Sequence, residues 1–197
     1  MAQQMVATRT TSTRDVRSTL RELEDRLRPR ANHTRTIGQL EAVFRAGRVP
    51  DPLPDGFLHG RFVSTVTRPL IDAAARRLTD LWMPWLGKTF DATARTGRNV
   101  VTASSRPGMR LIWPDHRPVE TGGRIEAFPF ITWVGPAALD SDLEVLKIDY
   151  DHDASPDRIL RRILDELVEV DDGFYLGRAL VRVRDRLRPA GFFTLER

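Results

Sequence analysis

The apolar positions of this chain change period at a proline-rich connector. Ahead of the connector they are helical: Val16, Leu20, Leu23 and Leu27 fall on one face, with Thr13 as N-cap and Pro29 as stop. A second helix follows, with Thr36 and Gln39 as a capping box, Ile37, Leu40, Val43 and Phe44 as its apolar stripe, and Gly47 as its end. Beyond Val49–Gly56 the period becomes two, and residues 57–66 read as a strand. A further helix is predicted over 69–82, carrying Leu70, Ile71, Ala74, Leu78 and Leu81. Strand-like runs then cover 99–104, 108–113, 124–134, 142–151, 164–171, 174–184 and 190–196, and a short helix covers 157–163. Turn chemistry separates them at Arg106-Pro107-Gly108, Thr121-Gly122-Gly123, Asp171-Asp172-Gly173 and Arg188-Pro189.

About eight short strands with hairpin turns predict an antiparallel sheet, and closing it removes its exposed edges. The expected fold is α+β, mainly β: an antiparallel lipocalin-like β-barrel with two N-terminal helices and one inserted helix. An open sheet wrapped around a helix is the alternative. The expected organisation is a disordered tail over 1–12, a helical segment over 13–48, a linker over 49–56 and a barrel domain over 57–197.

Strand 174–184 indicates what the barrel encloses. Phe174, Leu176, Arg178, Leu180, Arg182 and Arg184 share one face, and the arginines send it to solvent. Tyr175, Gly177 and Ala179 then point inward, and their small members leave room. A barrel of about eight strands either fills itself with side chains or holds one small ligand. Trp133 or Phe128 is the expected filler if the space is closed.

Composition narrows the chemistry. The chain has no cysteine, which removes disulfides, thiolate nucleophiles and iron–sulfur ligation and fits a reducing compartment. No signal-peptide pattern or membrane-length apolar run is present, so the expected location is cytoplasmic. Residues 1–48 carry ten arginines against five acids, whereas residues 49–197 carry 21 basic and 22 acidic groups. The nearly neutral body argues against a nucleic-acid partner, which would want a basic face with exposed aromatics. Only two of the 31 basic residues are lysines, Lys88 and Lys147.

Each candidate motif has a specific test. In Trp82-Met83-Pro84-Trp85-Leu86-Gly87-Lys88-Thr89-Phe90 the end resembles a phosphate loop. However, the glycine that should precede it is Trp82, and Pro84 removes a backbone donor, so nucleotide binding is excluded. This stretch instead reads as a helix end and an entry into the barrel. Lys88 is then a candidate anchor for a ligand's acidic or carbonyl oxygen, or reaches solvent. Asp149, Asp151 and Asp153 alternate and Asp157 follows, but Ala154 and Leu160 stand where a calcium loop needs glycine and glutamate. No metal or other cofactor is called for. There is no nucleophile elbow, and His59 is the one histidine inside a predicted strand. Asp165 and Glu166 are adjacent at a strand start, so one carboxylate faces inward and the other outward. A buried carboxylate there suits acid–base work.

Three stretches carry a resemblance: Leu53-Pro54-Asp55-Gly56-Phe57-Leu58-His59-Gly60-Arg61, Pro84-Trp85-Leu86-Gly87-Lys88-Thr89-Phe90 and Leu146-Lys147-Ile148-Asp149-Tyr150-Asp151. Together with Asp165-Glu166-Leu167, Gly173-Phe174-Tyr175-Leu176-Gly177-Arg178 and Phe192-Phe193-Thr194-Leu195-Glu196, they resemble uncharacterised bacterial lipocalin-like proteins, distantly of the GXWXG/DUF4334 type. The likeness spans residues 53–196 and implies a small barrel, with no activity attached to it.

Two functions follow. The first is binding of a small apolar or amphipathic metabolite (lipid, terpenoid or aromatic) inside the barrel. Trp85, Phe90, Phe128, Phe130 and Trp133 would supply walls, Lys88, Asn99, Tyr150 and Tyr175 polar anchors, and Gly177 space. The alternative is an enzyme using the same cavity for acid–base chemistry, as a cyclase, isomerase or decarboxylase in secondary metabolism. Its candidate groups are His59, Tyr150 and Asp165, with Lys147 and Asp149 considered beside them. A partner bound through the basic N-terminal helices is a third expectation, and a homodimer remains open.

Overall fold

The computed structural model describes residues 16–22, 33–65, 85–105, 118–121, 123–153 and 160–197. Two helices come first: α1, helical over 16–22, and α2 (His33–Ala46). Nine strands follow: β1 (Gly56–Thr65), β2 (Trp85–Asp91), β3 (Thr96–Thr102), β4 (Val119–Thr121), β5 (Arg124–Ala137), β6 (Asp140–Asp149), β7 (Ile163–Asp171), β8 (Phe174–Val183) and β9 (Arg186–Glu196). They lie in the order β3-β2-β1-β9-β8-β7-β6-β5, and β3 pairs with β5 to close eight antiparallel strands into a barrel. The short β4 pairs with the start of β5. Closure leaves those eight strands without a free edge, which is the physical advantage of the arrangement.

Two apolar layers follow from strand alternation. Inside the barrel, Leu58, Phe90, Phe130, Ile148, Leu167 and Phe193 belong to one buried cluster. Outside, Leu40 and Phe44 of α2 and Leu20 of α1 pack on Val168, Leu176 and Phe192. The amphipathic stripe of each helix thus covers the outer face of the barrel wall rather than plugging its lumen. Among the described residues, no helix is long and apolar enough to cross a membrane.

Several local readings change. α2 begins at His33, so Thr36 is a buried residue inside the helix and not its N-cap. The β8–β9 turn is Arg184-Asp185, because Val183 pairs with Arg186, and Arg184 carries φ 53° there. Arg188-Pro189 lies within β9 instead of forming the turn. The end of the predicted 157–163 helix is a 3-10 turn over Leu160–Arg162, and Ile163 already opens β7. The arginine face of β8 is exposed only at Arg182 and Arg184, since Phe174 and Leu176 are buried in the cluster they share with the two helices and Arg178 is 2% exposed. The tail 1–12, the helix 69–82, the strand 108–113 and the Arg106-Pro107-Gly108 turn lie outside the described residues.

The largest correction is β2. Residues 85–91, read from the sequence only as an entry into the barrel, are a full strand paired with both β1 and β3. The register slips between Trp85 and Gly87, which inserts one extra residue into β2. Simple alternation would send Trp85 and Lys88 to opposite faces. The bulge lets Trp85, Lys88 and Phe90 all face inward. Gly87 serves the same crossing: at φ 145°, an added Cβ would lie 2.0 Å from the Leu58 carbonyl oxygen. The glycine beside Lys88 is there for a close passage of two strands.

Candidate functional site

Three strands and one strand end deliver polar groups to a single place inside the barrel. Lys88 comes from β2, Asn99 from β3, Asp165 from β7, and Tyr150 from the residue just past β6. Lys88 and Asn99 are direct cross-strand partners, as are Ile148 and Asp165, so the ladder register brings the groups together. Lys88 and Asp165 are both 0% exposed. A second bulge, at Phe128 with φ 54°, turns both Ala127 and Phe128 inward and keeps the wall beside Asn99 apolar.

The hydrogen bonds are dense. Lys88 Nζ donates to Asn99 Oδ1 at 3.0 Å, to Asp165 Oδ2 at 3.0 Å and to the Tyr150 hydroxyl. The Tyr150 hydroxyl donates to Asp165 Oδ2 at 3.2 Å and accepts from Asn99 Nδ2 at 2.9 Å. Asn99 Nδ2 also reaches the Phe128 carbonyl at 3.4 Å, and Trp85 Nε1 donates to Asn99 Oδ1 at 3.1 Å. Around the ammonium stand the rings of Phe130, Tyr150, Phe193 and Trp85, at 5.2, 5.2, 5.3 and 5.8 Å from Nζ. Such distances favour a cation over the ring faces. Asp165 Oδ1 is buried and has no partner among the described residues. An unsatisfied buried acceptor costs about 1–3 kcal/mol.

Burial dominates the ionisation of all three titratable groups. It lowers the Lys88 ammonium from its ordinary range, while Asp165 opposes the shift. It raises the Asp165 carboxyl, against the pull of Lys88 and the Tyr150 hydrogen bond. It holds the Tyr150 phenol well above its usual value, with the Asp165 charge adding to the effect. Each group is thereby biased toward its neutral form. The arrangement can offer hydrogen bonds to a buried polar group and can share a proton between Nζ and Oδ2.

The candidate residues divide cleanly. Trp85, Lys88, Phe90, Asn99, Phe128, Phe130, Tyr150, Tyr175 and Asp165 all line the barrel interior. Tyr175 pairs with Glu169, toward the β7–β8 hairpin and away from Asp165, which pairs with Ala179. Gly177 does not leave open space. The Phe193 ring fills it, lying 2.2 Å from where a Cβ would sit. Phe193 is therefore the filler, in place of Trp133 or Phe128, and Trp133 is 38% exposed on the outside. Lys88 does not reach solvent. His59 is exposed, stacks edge-on against Phe57 and lies at a cleft between α1 and the outer wall with Arg17 and Arg61. It has no part in the interior cluster. Lys147 also faces outward, to Glu166.

Phe193 escaped the sequence reading because Phe192 and Phe193 are adjacent, and alternation alone does not say which one is inside. The aspartates after β6 do not assemble a site: Asp149 Oδ1 accepts from the Asp151 backbone, and Asp151 pairs loosely with Arg182 at 3.5 Å. Among the described residues, no three histidine or carboxylate side chains form a metal-binding group.

No protein-family model matches the chain, and no curated protein matches it. Among solved structures, the crystal structure of a protein from Thermomonospora curvata is similar, with a TM-score of 0.45 and 16% identity. The match covers 89% of this chain and 98% of that one.

Proposed function

We propose that the barrel binds one small apolar or amphipathic metabolite of lipid, terpenoid or aromatic type, in the manner of lipocalin-like proteins, with its polar end at the Lys88–Asn99–Tyr150–Asp165 cluster. One observation carries this reading. A charged and polar cluster sits inside an aromatic wall at full burial, and one of its carboxylate oxygens, Asp165 Oδ1, has no partner among the described residues. Apolar walls with a few convergent polar groups are what small-molecule sites require. A buried polar atom without a partner is rare enough to call for an explanation.

Native mass spectrometry of the full chain tests this directly, paired with tryptophan fluorescence titrations of amphipathic probes. The expected result is a protein carrying, or taking up, one small molecule per chain. A chain that carries none and responds to no probe overturns the reading.

A second reading rests on the hydrogen bonds that Lys88, Tyr150 and Asp165 share. A carboxyl and a phenol biased toward their protonated forms beside an amine are suited to acid–base catalysis within a bound ligand. In that case Tyr150→Phe and Asp165→Asn lower turnover at saturating substrate by about a hundredfold or more.

A further inference from the structure

The hydrogen-bond inventory of the cluster restricts what can dock on it. Lys88 has three N–H donors, and they are committed to Asn99 Oδ1, Tyr150 and Asp165 Oδ2. The Asn99 amide has two, directed at Tyr150 and the Phe128 carbonyl. The Trp85 indole N–H is taken by Asn99 Oδ1, and the Tyr150 O–H by Asp165 Oδ2. Every donor is thus engaged, and among the described residues the one open position of the cluster is an acceptor, Asp165 Oδ1. Directly across the ladder from Asp165 stands Ala179, whose methyl group is the smallest side chain that β8 sends inward apart from Gly177.

We infer that the polar end of the ligand is a neutral hydrogen-bond donor, a hydroxyl of an alcohol or phenol, and that it docks on Oδ1 of Asp165. This rests on the binding reading above. A ketone, aldehyde or ester brings only acceptors, and each would have to break a bond that the cluster already makes. A carboxylate likewise brings only acceptors, and beside an ionised Asp165 it adds a second negative charge. An ammonium would sit beside Lys88 Nζ, which is only 3.0 Å from the neighbouring carboxylate oxygen. A hydroxyl meets none of these costs. The conclusion does not depend on where the proton between Lys88 and Asp165 rests. On Nζ or on Oδ2, it leaves Oδ1 an acceptor.

The test uses the full chain and sets of matched probes: the alcohol, aldehyde and carboxylate built on the benzyl, cinnamyl and geranyl skeletons. Affinities are read by isothermal titration. The expected ranking places the alcohol about tenfold or more ahead of its aldehyde and carboxylate on whichever skeleton binds. Asp165→Asn should invert it. The Asn oxygen takes over the bonds from Lys88 and Tyr150, and its amide N–H then occupies the open position and prefers the aldehyde. Tyr150→Phe is an independent check, because it frees one hydrogen on Lys88 and one on Asn99, and aldehyde and carboxylate gain on the alcohol. An aldehyde or carboxylate that matches the alcohol in the natural chain overturns the inference and leaves the binding reading standing. So does a ranking that neither variant alters. Failure of every probe to bind removes both.

Discussion

Asp165 and Glu166 are neighbours on β7, both 0% exposed, and they show two different uses of a buried carboxylate. Glu166 faces the outer layer and is saturated. Its Oε1 accepts from Lys147 Nζ at 3.1 Å and the Ala138 N–H at 2.6 Å, and its Oε2 accepts from Arg178 at 2.7 and 3.3 Å. Arg178 continues to Glu41 on α2 at 2.7 Å and stacks over Phe44 at 4.4 Å. This network ties the helix to the barrel wall. Asp165 faces the lumen, and one of its oxygens is engaged while the other has no partner among the described residues. The completed network fastens the helix to the wall, whereas the incomplete one is the position at which ligand binding is proposed.

The contrast can be broken in order of expected effect. Glu166→Ala leaves Lys147 without its carboxylate and Arg178 with Glu41 alone, and should cost about 3 kcal/mol of stability in urea denaturation. A loss under 1 kcal/mol would mean the outer network is not a fastening. Lys88→Met should cost about 3 kcal/mol, and the double variant Lys88→Met/Asp165→Leu should recover to within about 1 kcal/mol of the natural chain. Continued instability of the double variant would make the inner cluster structural as well.

The inner cluster also has a pH signature. Asp165 is raised above 3.8 in the fold, so the stability it lends is greatest at acid pH and is lost as pH rises through its raised value. Lys88 is lowered below 10.5, so its contribution is regained as pH rises from its lowered value toward 10.5. The stability curve of the natural chain should therefore sag between the two, and the double variant should flatten it.

Smaller effects follow. Gly177→Ala drives a methyl group into the Phe193 ring and should cost about 1–3 kcal/mol, with Phe193→Leu in the same chain relieving it. Equal losses with and without Phe193→Leu would rule out the contact as the cause. Arg182→Ala, which removes an exposed pair with Asp151, should change the melting behaviour by no more than about 0.5 kcal/mol.

Much of this was legible along the chain. Alternation located β5–β9 to within a few residues, the Asp172-Gly173 hairpin was marked by its turn chemistry, and the opposed directions of Asp165 and Glu166 follow from a period of two. Lys88, Asn99, Tyr150 and Asp165 were each singled out. Their convergence was not readable, because β2 and β5 contain bulges that reset which face a residue occupies. The inward turn of both Trp85 and Lys88 needs the extra residue at Leu86, and no local pattern announces it. His59 and Trp133 show the opposite failure: residue types that suit a site, placed by register on the outer surface.

What the sequence determined by itself was a mainly β chain with amphipathic N-terminal helices, since those rest on local periodicity and turn residues. Only the tertiary structure decided that the helices cover the outer wall, that Phe193 rather than Trp133 or Phe128 fills the space at Gly177, and that Lys88 is fully buried with its donors engaged. Each of these depends on the register of strands far apart in the chain, and register is an energy of packing and hydrogen bonding across the whole barrel. The stretch from Trp85 to Phe90 shows this most directly. Its Gly-Lys-Thr string looks like a phosphate loop in one dimension, and in three it is a bulged strand that delivers a lysine to an aspartate 77 residues later in the chain.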